Sequence, residues 1–203
     1  MSDGRILVLG IGNILWADEG FGVRVVEALD ARYEFPDPVL LLDGGTQGLY
    51  LLPYLEDAAG VVIVDAIDYG LPPATLRILA DDEVPAVLGA RKVSLHQTGF
   101  QEILALLQFR GCAPERLRLV GVQPERLDDY GGSLTPAIAA QIEPAIDTVL
   151  DILAREFGIV PTRRPEAASF TTPAITREAY EDGRPSAEEA CRIGDERVLV
   201  NWR

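Results

Sequence analysis

Four side chains in this sequence have the types and the placement for metal or acid–base chemistry. Glu19 follows the first apolar run, Asp43 closes the second and Asp65 closes the third, while His96, the only histidine among 203 residues, precedes an amphipathic run. One imidazole with two carboxylates is a borderline-hard donor set that suits a divalent transition metal such as nickel, zinc or iron. No second histidine or metal-spaced cysteine pair completes a closed shell, so such a site would be open and would grasp an ion rather than store it. The neighbouring Asp18 admits a plainer reading. As an N-cap it would place Glu19 in the first helical turn, where the helix dipole favours negative charge, and both acids would then merely cap a helix.

These residues need a scaffold, and the pattern of apolar runs supplies one. Residues 6–9 form a short apolar run broken by Gly10, Gly12 and Asn13. From Gly22 the positions Val25, Val26, Leu29 and Tyr33 fall on one face of a helix. Residues 39–42 repeat the apolar run before Asp43-Gly44-Gly45, and a short helical piece is expected over 47–55. Residues 60–66, GVVIVDA, are apolar on both faces, the habit of a strand buried in a parallel sheet. After Pro72 and Pro73, residues 75–79 read as an antiparallel edge strand. Residues 84–88 are apolar but fit no class.

The spacing of Phe100, Ile103, Leu104 and Leu107 predicts a helix capped by Thr98, which leaves His96 on the loop before it. Residues 118–122 are the last strand, and Thr135-Pro136 opens a long helix to about residue 157, bent at Pro144. Strands alternating with helices predict an α/β fold, a three-layer α/β/α sandwich around a mostly parallel twisted sheet of about five strands. In such sheets ligands bind beyond the carboxyl ends of the strands, where the three acids fall.

Composition narrows the partners. The formal net charge of −14 repels phosphate backbones, and no basic stripe is visible, which excludes nucleic acid. No charged-then-apolar leader and no membrane-length run is present, so a cytoplasmic protein is expected. Cys112 and Cys191 lie far apart and read as reduced bystanders. Residues 1–160 read as one domain. Beyond Pro161 the texture changes, with four prolines and 7 basic against 8 acidic residues, so 161–203 reads as an extension, partly ordered or docked. Within it, 186–191 is helix-like and RVLVNW could add an edge strand.

The runs GIGNILWADEGFGVRVVEAL, LLDGGTQGLYLL, VVIVDAID, DDEVPA, SLHQTGFQEIL, LVGVQPERL and SLTPAIAAQIEPAI, in this order from Arg5 to about Val160, resemble the endopeptidases that mature the large subunit of [NiFe] hydrogenases. The resemblance implies a protease that trims a C-terminal extension from the hydrogenase large-subunit precursor once nickel is inserted. It implies that Glu19, Asp65 and His96 bind the metal. Three ligands leave positions for nickel already held by the precursor, so the metal would signal readiness without being tightly held by the enzyme.

Either that ion polarises the scissile carbonyl, or Asp43 or Asp18 serves as general base on a water. The sequence leaves these open, and the chain is expected to be a monomer. Cys112 lies far from any strand end, which disfavours an acyl-enzyme route. Two other readings compete. The same ligands would serve a non-catalytic, nickel-sensing chaperone of the precursor. A nucleotide-binding enzyme fits poorly, because the third glycine of a dinucleotide fingerprint would fall on Leu15 and Asp43 stands too far from the turn.

Overall fold

The computed structural model describes residues 4–90, 95–166 and 171–183. Strand β1 (Arg5–Ile11) is buried over six of its seven residues and leads through a 3-10 turn (Ala17–Gly20) into α1 (Phe21–Arg32). A two-residue strand, β2 (Tyr33–Glu34), precedes β3 (Val39–Gly45), a second 3-10 turn (Gly48–Leu51) and α2 (Leu52–Glu56). Then come β4 (Ala58–Ala66), β5 (Leu76–Ala80), α3 (Glu83–Ala90), α4 (Leu95–Arg110) and β6 (Arg116–Val122). The chain continues through α5 (Pro136–Ala139), α6 (Ile142–Phe157), β7 (Thr162–Arg163) and α7 (Arg177–Asp182).

The main sheet has five strands in the order β3-β1-β4-β6-β5, all parallel except β5, the antiparallel edge. Alternation along the strands divides the core in two. Ile6, Val8, Val62, Val64, Val120 and Val122 face α1, α5 and α6. Leu7, Leu9, Val61, Ile63, Leu117 and Leu119 face α2, α3 and α4. This is the expected three-layer sandwich.

The order places a topological switch between β1 and β4. After β1 the chain turns to the α1 face; after β4 it leads to the opposite face, so a crevice opens between their carboxyl ends. Helix α1 starts almost on top of that point. A Cβ on Gly22 would lie 2.1 Å from the Val64 carbonyl oxygen, and one on Gly10 would lie 2.4 Å from that of Gly22. Only glycine permits this approach.

Several local expectations are corrected. Helix α1 is capped by Gly20 rather than Asp18, and no acid occupies its first turn, so Glu19 lies in the preceding 3-10 turn. Helix α4 begins at Leu95, which puts Thr98 inside it and His96 in its first turn rather than on a loop. The unclassified 84–88 belongs to α3. The long helix is two helices broken at Ala140–Gln141, and Pro144 sits in the first turn of α6, where its missing N–H leaves no bond unmade.

Past Pro161, β7 pairs with β2, and the Arg164 guanidinium donates to the carbonyls of Asp30 and Tyr33. The helix-like 186–191 and the RVLVNW segment lie outside the described residues.

Candidate active site

The loop after β1 makes the floor of the crevice. Gly12, at φ +134°, folds the chain so tightly that a Cβ there would stand 1.8 Å from the Glu19 carbonyl oxygen. The Asn13 N–H donates to that oxygen at 3.2 Å, closing the loop, and the Gly12 N–H donates to Gly45 at 3.0 Å, tying it to the end of β3. The 3-10 turn bearing Glu19 packs against β4, at whose end Asp65 is buried.

Strand parity settles which face each acid takes. Asp65 continues the row Val61, Ile63 and therefore points toward the α4 side, the helix whose first turn carries His96. Its Oδ1 accepts the Ala66 N–H at 2.7 Å. Asp43 continues the row Val39, Leu41 and pairs with Gly10, which faces α1. The sheet thus separates Asp43 from Asp65 rather than presenting them as one pair. Among the described residues no three acid, cysteine or histidine side chains form a metal-holding group. The side chain of His96 lies outside the described part of the structure.

Burial raises the Asp43 carboxyl above its ordinary range, opposed by the Gly45 N–H, which donates to Oδ1 at 3.0 Å, and by the positive charge of Arg24. A carboxyl so shifted is a better proton acceptor once ionised.

Asp18 is different. Its carboxylate is fully buried and accepts the backbone N–H groups of Glu125 (2.9 Å), Arg126 (2.7 Å) and Thr135 (2.7 Å), together with the Thr135 hydroxyl (3.2 Å). It fastens the loop after β6 to the loop after β1.

Two further residues shape the crevice. Gln123, buried directly after β6, accepts the N–H groups of Tyr69 and Leu71 on Oε1 and donates from Nε2 to Asp68, which fixes the loop after β4. The Tyr69 hydroxyl fills the place of the side chain that Gly121 lacks; a Cβ there would be 1.9 Å away. Gly121 pairs with Asp65 in the sheet, so the hydroxyl sits one strand from that carboxylate. Burial and the negative charge of Asp65 raise its pKa far above the ordinary value, keeping it protonated. Among the described residues nothing hydrogen-bonds it. The one sequence signal for Gln123 is its position as the first polar residue after an apolar strand end.

The fold is a doubly wound α/β sheet whose strands β1, β3 and β4 lead at their carboxyl ends into or end at acidic residues, the place where such sheets bind their ligands. Comparison with known proteins makes the assignment specific. Residues 23–152 match the family model described as hydrogenase maturation protease. The hydrogenase expression/formation protein HupD of Thiocapsa roseopersicina is 56% identical over 204 residues, covering 98% of this chain and 92% of that protein. The hydrogenase 2 maturation protease of Escherichia coli K12 is 50% identical over 156 residues, covering 76% and 93%. The solved hydrogenase maturating endopeptidase HybD from E. coli superposes with a TM-score of 0.75 at 48% identity, covering 79% of this chain and 98% of that one.

The chain belongs to the hydrogenase maturation protease family and is a peptidase. The Thiocapsa relative aligns through most of the residues past Pro161, which places the extension within the longer members. No described helix is long and apolar enough to cross a membrane.

Proposed function

We propose that this peptidase removes a C-terminal extension from a [NiFe]-hydrogenase large-subunit precursor after nickel insertion, using Glu19, Asp65 and His96 to engage the nickel that the precursor carries. The observation that supports this reading most is the position of Asp65. It is buried at the end of β4 on the face toward α4, while the turn carrying Glu19 packs against the same strand. Carboxylate and imidazole donors suit nickel, and an incomplete shell suits an ion shared with a substrate. The enzyme then carries little metal of its own and works as a cytoplasmic monomer.

Of the two acids that could serve as general base, Asp43 is the less engaged. Asp18 is engaged by four donors, whereas Asp43 takes one hydrogen bond among the described residues. Asp43 would accept a proton from the water that attacks the scissile carbonyl and return it to the leaving amine, so the peptide bond breaks with one water consumed. The test is intact mass of nickel-loaded precursor incubated with the purified enzyme. Loss of a C-terminal peptide is expected; stable binding without cleavage would make the protein a chaperone.

A further inference from the structure

Among the described residues ten large apolar side chains are exposed, and five of them gather at the carboxyl end of the sheet. Leu15 (41% exposed) and Trp16 (36%) stand on the loop after β1, and Tyr130 (53%) on the loop after β6. Trp16 and Tyr130 are joined by a β-bridge, and their rings meet edge to face with centroids 5.2 Å apart. Leu49 (58%) and Tyr50 (82%) stand in the 3-10 turn after β3, which the Gly12–Gly45 hydrogen bond ties to the first loop. Apolar surface is common on any protein, but its concentration around one crevice marks an interaction site.

The charge around this rim is predominantly negative. Of the eight carboxylates on the loops 12–20, 43–50, 65–71 and 123–135, Asp18 and Asp65 are buried and Asp129 pairs with the single cation there, Arg126, at 3.6 Å, which leaves Glu125 and Asp128 exposed and Glu19, Asp43 and Asp68 partly exposed. We propose that Leu15, Trp16 and Tyr130 on one side and Leu49 and Tyr50 on the other form the surface on which the precursor polypeptide docks. The segment they accept carries apolar side chains together with Lys or Arg. This inference rests on the function proposed above and adds the surface that holds the substrate while its nickel is engaged. Aromatic anchors supply the contact area, and the acidic surroundings select a cationic partner and speed its arrival.

The test is steady-state processing of nickel-loaded precursor by Trp16→Ala and Tyr50→Ser, with Phe109→Ser, at the far end of α4, as control. Tyr50 is so exposed that its replacement leaves the fold alone. Either rim variant should raise KM about tenfold or more while kcat stays within about twofold, the pattern of lost ground-state binding. The control should match wild type, and added salt should raise KM for all three proteins. Wild-type KM in both rim variants overturns the docking surface, and a salt-independent KM overturns the cationic partner. If the wild-type enzyme leaves the precursor uncut, the functional reading itself fails, an outcome separable from a change in KM.

Discussion

Thr135 gives both its backbone N–H and its hydroxyl to one carboxylate, that of Asp18, at 2.7 and 3.2 Å across 117 residues of sequence. That contact, with the N–H groups of Glu125 and Arg126, makes Asp18 the tie between the loop after β1 and the loop after β6. Asp18→Asn turns an acceptor oxygen into an NH2 group facing backbone donors. It should cost about 1.5–3 kcal/mol in urea unfolding, the range for hydrogen bonds to a charged group. Glu19→Gln should leave the melting temperature nearly unchanged and lower processing by orders of magnitude. Equal, small effects in both variants would deny Asp18 its structural role and Glu19 its functional one.

Asp43 gives a pH-dependent prediction. Folding raises its pKa, so the folded state favours the protonated form. Stability from this group is therefore full below the ordinary carboxylate pKa and declines as pH rises through the raised value. Asp43→Asn should be more stable than wild type at neutral pH, with the difference vanishing in acid. Urea unfolding at both pH values measures it, and the same gap at both would refute burial as the cause. Activity at neutral pH should fall about a hundredfold or more if Asp43 is the base.

The buried ion pair of Arg24 and Glu27, 2.8 Å apart in α1, is covered by the extension. Arg24 also donates to the Ile175 carbonyl at 2.7 Å, and its guanidinium lies over the Tyr180 ring. Arg24→Ala strands Glu27 without its partner and should cost about 3–5 kcal/mol. Arg32→Ala, which breaks the exposed pair with Glu143, should cost less than about 1 kcal/mol. Thermal unfolding separates the two, and a mild Arg24→Ala would mean that water reaches Glu27.

Tyr69 and Gly121 should behave as a coupled pair. Removing an unpartnered buried hydroxyl costs no hydrogen bond, so Tyr69→Phe should melt no lower than wild type. Gly121→Ala should destabilise strongly, because its Cβ would overlap the hydroxyl, and Tyr69→Phe should recover part of that loss. Strict additivity in the double variant would rule out the contact.

The sheet was legible because its strands are apolar on both faces and end at glycines or acids, which made the strand ends, and with them Asp43 and Asp65, readable from residues 39–45 and 60–66 alone. Asp18 has the sequence pattern of a helix cap but serves a different partner, for a physical reason. Its partners lie at positions 125, 126 and 135, and no local pattern reports a carboxylate drawn away from its own helix. Thr98 is a good cap in isolation and so sets the expected start of α4 at Gly99, four residues after its observed start at Leu95. The opposed faces of Asp43 and Asp65 follow from strand parity once the register is known, and register was not in the sequence pattern.

Glu19, Asp65 and His96 are proposed to engage the precursor's nickel. Nickel X-ray absorption on nickel-loaded precursor, alone and freeze-quenched with the enzyme before turnover, reads that engagement at the metal. The expected result is added oxygen and imidazole scattering at nickel in the complex, lost when the enzyme carries His96→Ala. A nickel spectrum identical with and without wild-type enzyme, in a sample that goes on to be cleaved, would contradict it.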